Sequence, residues 1–205
     1  YDANGNVIYE ILRQRFHDET GTGALGTAST GVRARVYQSE YWFDAIDRLV
    51  EAVELGTNGG TVLGGREASI PNRSDQRLRS SYVYNEAGLL WKVFDPRDIR
   101  GQTEYDALGR ITRTIEAFGD GTPSAGDDRI TEYTYNGSDQ VLTMKAVLPN
   151  SAFQTTRYVY GVDSSLIASN DLLARIEYPN KSTGQPSSLS SDQVSYTYNA
   201  LGESK

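Results

Sequence analysis

The chain has 205 residues, no cysteine, a single histidine and a net charge of −7, with 38% hydrophobic residues, 10% aromatic residues and 20 glycines. Without cysteine there is no disulfide, thiolate metal site or cysteine nucleophile. The negative charge and the single, scattered Lys and Arg residues argue against nucleic acid or an anionic membrane as partner. This composition reads as turn-rich β structure rather than as a disordered or collagenous chain. It shows no membrane-inserting run, signal peptide or lipidation motif.

In chain order, the sequence opens on Tyr1-Asp2-Ala3-Asn4-Gly5, and Val7 to Phe16 then carries apolar residues at mixed spacing that predict no long helix. Gly21-Thr22-Gly23-Ala24-Leu25-Gly26 matches the dinucleotide-binding glycine pattern, but Thr27 to Gly31 reads as loop, not as the helix start that pattern requires. Tyr41-Trp42-Phe43-Asp44-Ala45-Ile46-Asp47 comes next, and Phe43 to Leu55 reads as strand although Asp44 to Val53 has amphipathic-helix spacing in isolation. Gly56 to Gly60 is a turn cluster that leads into the β-favouring Thr61-Val62-Leu63.

A phrase then becomes plain. Tyr82-Val83-Tyr84-Asn85-Glu86-Ala87-Gly88 and Tyr196-Thr197-Tyr198-Asn199-Ala200-Leu201-Gly202 are full copies, and Tyr105-Asp106-Ala107-Leu108-Gly109 is a partial one. Tyr133-Thr134-Tyr135-Asn136-Gly137-Ser138-Asp139 puts Asp at the glycine position, as Asp47 does in the Tyr41 copy. Tyr158-Val159-Tyr160-Gly161 loses the acidic residue. Of 14 tyrosines, 11 occupy motif positions, so the aromatic content is mostly the repeat itself. Gly119 to Asp128 and Lys181 to Asp192 read as exposed loops, and Asp95-Pro96 suits a strand exit.

Alternation along a strand puts the two aromatics of Tyr-x-Tyr on one face. The Asp or Asn that follows bonds its own backbone two residues on, and the glycine suits the left-handed position of a type I turn plus bulge. Asp tolerates that conformation. Each copy is therefore expected to be one β-hairpin. Isolated hairpins are marginal in water, so the copies must pair laterally, with aromatic pairs beside one another across strands. The predicted fold is all-β: tandem hairpins in one extended, curved antiparallel sheet spanning residues 1–205.

At these phrases the chain is similar to the YD-repeat, or Rhs-repeat, family, and the likeness runs over nearly the whole sequence. Asp47, Asp139 and Gly161 are the departures. The resemblance implies a segment of a spiral shell like those of Rhs proteins, ABC-type toxin complexes and teneurins, whose bacterial members enclose a C-terminal toxic domain. It also implies a bacterial, secreted or cell-surface location. The chain begins and stops inside motifs, and the expectation is a fragment of a longer polypeptide.

No chemistry-bearing constellation accompanies the repeat. His17 beside Asp18 and Glu19 has no second histidine or Gly-x-Ser-x-Gly elbow to work with. Asp120, Asp127 and Asp128 do not fit a calcium loop, and three Asn-x-Ser sequons begin at Asn72, Asn136 and Asn180. The expectation is a non-enzymatic wall with no cofactor. Its partners would be the remaining repeats and an enclosed cargo, with self-association through unpaired sheet edges. The rival reading is an adhesive module binding glycan or protein through loops or aromatics.

Overall fold

The computed structural model describes residues 1–205 and contains one antiparallel sheet of twelve strands, whose spatial order is their order in the chain. The strands are β1 (Tyr9–Arg15), β2 (Ala34–Phe43), β3 (Leu49–Gly56), β4 (Leu78–Tyr84), β5 (Leu90–Phe94) and β6 (Arg100–Tyr105), then β7 (Ile111–Phe118), β8 (Arg129–Tyr135), β9 (Val141–Val147), β10 (Phe153–Asp163), β11 (Ala168–Glu177) and β12 (Gln193–Ser195). Helical structure is limited to three short 3-10 turns, at Asn58–Gly60, Pro149–Ser151 and Ser190–Asp192. No helix is long and apolar enough to cross a membrane. The all-β hairpin expectation therefore holds, and the helix-like spacing of Asp44 to Val53 resolves into a turn over 44–48 and the first residues of β3.

The chain divides into two compact units, Tyr1–Arg100 and Gly101–Lys205. In the first, alternate residues of β2 are buried: Ala34, Val36, Gln38, Glu40 and Trp42 all face the same way. Trp42, Val53 and Leu55 form the apolar cluster there, with Val50 and Leu63 packed on it. The cover is the β3–β4 connection. Thr61-Val62-Leu63 is not a strand, contrary to its composition, but part of a strap whose backbone is bonded by a side chain of β2. Gln38 Nε2 donates to the Thr61 carbonyl at 2.9 Å, and the Leu63 N–H donates to Gln38 Oε1 at 2.7 Å. With its polar groups met in this way, the segment has no need of a strand partner.

In the second unit, Ile115, Ile130 and Val147 stand in one register line across β7, β8 and β9, and Phe118 completes their cluster. The next line along that face is charged: Arg113 lies opposite Glu132, and Glu132 opposite Lys145. Lys145 bonds Glu132 at 3.0 Å. The segment 181–192 is mostly exposed, as expected of a loop, but it is anchored on β10 at Gly184. Gly184 and Ser187 are buried, and the Thr155 N–H donates to the Gly184 carbonyl at 2.8 Å. Segment 119–128 is mostly exposed, with Asp128 buried.

Candidate functional site

The repeated element is a turn that closes itself. At Asp2, Asp44, Asn85, Asp106, Asn136 and Asn199, the backbone N–H of the first residue donates to the carbonyl four residues on, and the fourth residue's N–H donates back to the first carbonyl. The first side chain then takes up the loose amides. Asp44 Oδ1 accepts the N–H groups of Ile46 and Arg48, and Asp106 Oδ1 those of Leu108 and Arg110, each bond near 3.0 Å. Asp2, Asn136 and Asn199 repeat the pattern, and Asn85 accepts from Leu89. The fourth position is always left-handed, with φ of 90° at Gly5, 64° at Asp47, 81° at Gly88, 80° at Gly109, 61° at Asp139 and 81° at Gly202. Glycine suits that position because it has no Cβ to crowd the carbonyl oxygen, and aspartate is among the few other residues that tolerate it.

A seventh copy escaped the sequence reading. Asp95-Pro96-Arg97-Asp98-Ile99 forms the same bonds, with Asp98 at φ 66°. Its signal was present: proline favours the second turn position, and Asp98 repeats the substitution seen at Asp47 and Asp139.

The fifth residue ties one turn to the next hairpin. Arg48 and Arg110 pair back onto Asp44 and Asp106, both at 2.7 Å. Hydrogen bonds from the Arg48 backbone and side chain hold the Asp44 carboxyl below the usual range, and the Arg110 side chain does the same for Asp106. Each guanidinium also lies over the second tyrosine of the next copy, Arg48 over Tyr84 at 4.3 Å and Arg110 over Tyr135 at 4.7 Å. That tyrosine's hydroxyl donates to the carbonyl just past the arginine: Tyr84 to Leu49 at 2.9 Å, Tyr135 to Ile111 at 2.7 Å. The Tyr198 hydroxyl also donates to a carbonyl of a preceding strand, that of Leu173 within β11, at 2.8 Å. Adjacent turns are also joined directly. Arg110 reaches Asp139 Oδ1 at 2.8 Å, while Asn4 and Asn6 reach Asp47 Oδ1 at 2.7 and 2.8 Å. The pattern Asp-x-x-Asp/Gly-Arg was legible at Asp44 and Asp106, but its target was not.

The other motif residues lie where strands place them. Tyr82 and Tyr133 share a face with Tyr84 and Tyr135 by alternation, Tyr158 and Tyr160 lie on β10, Tyr105 ends β6, and Tyr196 follows β12. Tyr41 donates to Glu10 Oε2 at 3.2 Å, Phe43 ends β2, and Tyr1 is exposed. One expectation is corrected. The aromatics of successive copies are not direct cross-strand neighbours, because the motif falls on every second strand. Tyr82 pairs with Val93, Tyr84 with Leu90, Tyr133 with Met144, Tyr135 with Val141, Tyr158 with Ile176 and Tyr160 with Leu173. At Gly161, with φ 102°, β10 bulges and runs on to Asp163 instead of turning.

The remaining motifs hold no gathered chemistry. Gly21 to Gly26 is loop, with Leu25 bridged to Val32. Asp120 and Asp128 accept the backbone N–H groups of Thr122 and Ser124. No cluster of three or more His, Asp or Glu side chains is placed to hold a metal ion.

The architecture defines an all-β array of sequential hairpins tied by turn residues. No family model and no curated protein matches the chain. Solved structures similar to it include crystal structures of TcdB2-TccC3-Cdc42, of TcdB2-TccC3, and of TcdB2-TccC3 without the hypervariable C-terminal region. Their identities are 15%, 14% and 14%, with TM-scores of 0.41, 0.42 and 0.41. Each match covers 82% of this chain and 9% of the other, so the chain spans less than a tenth of their length.

Proposed function

We propose that the chain is a non-enzymatic wall segment of the YD-repeat kind, part of a secreted or cell-surface bacterial shell that encloses a cargo such as a C-terminal toxin domain. The observation that supports this most is where the motif side chains spend their bonding capacity. Asp44, Arg48 and Tyr84, and again Asp106, Arg110 and Tyr135, satisfy one another and the local backbone. A residue set committed in this way builds a continuous hydrogen-bonded surface, and such a surface contains by sterics. The other repeats of the parent polypeptide and the cargo would be its partners.

Limited proteolysis of the parent polypeptide tests the reading. The expected result is that a cargo segment stays intact while the array is folded and is cut once denaturant opens it. Cleavage of that segment at the same rate with the array folded overturns containment. Adhesion would take its place if the folded chain bound a glycan array and lost that binding on Trp91→Ala, since Trp91 is partly exposed on β5.

A further inference from the structure

Glu40 sits beneath the strap of the first unit, with no exposed surface. One of its oxygens has a single partner: the Glu67 N–H donates to Oε1 at 2.8 Å. The other, Oε2, is buried without a hydrogen-bond partner. Two residues back along β2, Gln38 grips Thr61 and Leu63 in the same manner, and the Tyr9 hydroxyl donates to its Oε1 at 2.6 Å. Gln38 and Glu40 thus do for residues 61–67 what a neighbouring strand would otherwise do. One of the two grips is titratable.

The groups around Glu40 supply no counter-ion in contact. On β1 its register partner is Tyr9, and on β3 it is Val53. Glu51 and Arg79, on β3 and β4, are bound to each other at 2.6 Å. From the strap, Arg66 donates to the Tyr41 carbonyl at 2.9 Å and lies over Trp42. Arg77 is held by Glu67 at 2.9 Å and by Asn58 at 3.2 Å. An enclosed carboxylate without a partner is costly, and the group lowers that cost by keeping its proton. Burial accordingly pushes the Glu40 carboxyl above the usual range. The Glu67 charge adds to this, while the Glu67 N–H, Arg77 and Arg66 oppose it.

We propose that Glu40 is a proton-operated latch: protonated, it holds the 61–67 strap against the sheet, and on losing its proton to solvent it releases the strap and uncovers Trp42, Val53 and Leu55. A group whose pKa is raised on folding contributes stability that is fully present below its unfolded value and is lost as pH rises through its folded value. The latch therefore closes in acid and loosens toward neutral and alkaline pH.

The test uses the 205-residue chain in two measurements. Hydrogen exchange at the Leu63 and Glu67 amides, corrected for intrinsic rates, is followed from about pH 4 to pH 8, together with the Glu40 carboxyl resonance after 13C labelling. The expected result is a Glu40 titration above the ordinary Glu value. Strap protection should fall by up to about tenfold per pH unit between the ordinary Glu value and that titration point, and level off above it. Glu40→Gln keeps an acceptor for the Glu67 N–H and should stay protected across the range. Flat protection in the parent chain, an equal fall in Glu40→Gln, or a Glu40 that titrates at the ordinary value overturns the latch. If Glu40→Gln fails to fold, the titration and exchange of the parent chain decide.

Discussion

Arg110 lies over the Tyr135 ring with its guanidinium carbon 4.7 Å from the centroid, while the Tyr135 hydroxyl donates to the carbonyl of Ile111, the residue next to that arginine. Arg48 and Tyr84 repeat the arrangement at 4.3 Å, with Leu49 as acceptor. One tyrosine is thus held from two sides by the start of the preceding strand. The joint recurs because the residues that build it recur.

Tyr135→Phe removes one hydrogen bond and leaves the ring, and should cost about 0.5–1.5 kcal/mol. Arg110→Ala and Tyr135→Ala together should fall short of additivity by about 0.5–1 kcal/mol, because each removes the partner of the same cation–π contact. Urea unfolding of the two single variants and the double variant measures this. Additive losses would mean that the stacking contributes nothing.

Two glycines with positive φ should respond in opposite ways. Gly88 has φ 81°, and a Cβ there would lie 3.6 Å from Arg48 Nη1, the place that Asp139 fills beside Arg110. Gly88→Asp should stay within about 0.5 kcal/mol of the parent, whereas Gly88→Val should lose about 1–2 kcal/mol to left-handed strain. At Gly184, with φ 71°, a Cβ would fall 1.9 Å from the Phe153 carbonyl oxygen. Gly184→Ala must push the 178–192 connection off β10 and break the Thr155 to Gly184 bond. It should cost about 2 kcal/mol or more and open that segment to protease.

Glu177 gives the second unit an acid limb. It is almost fully buried between Arg157 and Arg175, whose Nε atoms donate to its two oxygens at 2.6 and 2.7 Å. Burial alone would raise its pKa, but the bonds and charges of the two arginines outweigh burial and hold it below the usual range. A depressed value contributes stability that is present above the unfolded pKa and lost as pH falls through the folded one, opposite in sign to Glu40. Glu177→Gln should cost about 1.5–3 kcal/mol at neutral pH, the lower end reflecting arginines that keep access to water. It should also flatten the acid side of the stability profile of the second unit, read by denaturant titration from about pH 3 to pH 7.

The sequence by itself determined the turns. An Asp or Asn followed three residues later by Gly or Asp closes on itself within five residues, so nothing distant is needed to form it. The strands beside the turns follow from alternation, which is why the helix-like spacing of Asp44 to Val53 yielded to β structure. Asp95 to Ile99 was overlooked because Pro96 resembled an ending and no Tyr-x-Tyr preceded it, not because its physics differs. Only the tertiary structure decided what each long side chain reaches. Tyr84 and Leu49 are 35 residues apart, Glu40 and Glu67 are 27, and Thr155 and Gly184 are 29. Those contacts depend on the lateral pairing of strands and on the paths of two long connections. Whether Thr61 to Leu63 is strand or strap is settled in the same way, because the Gln38 side chain meets its backbone groups.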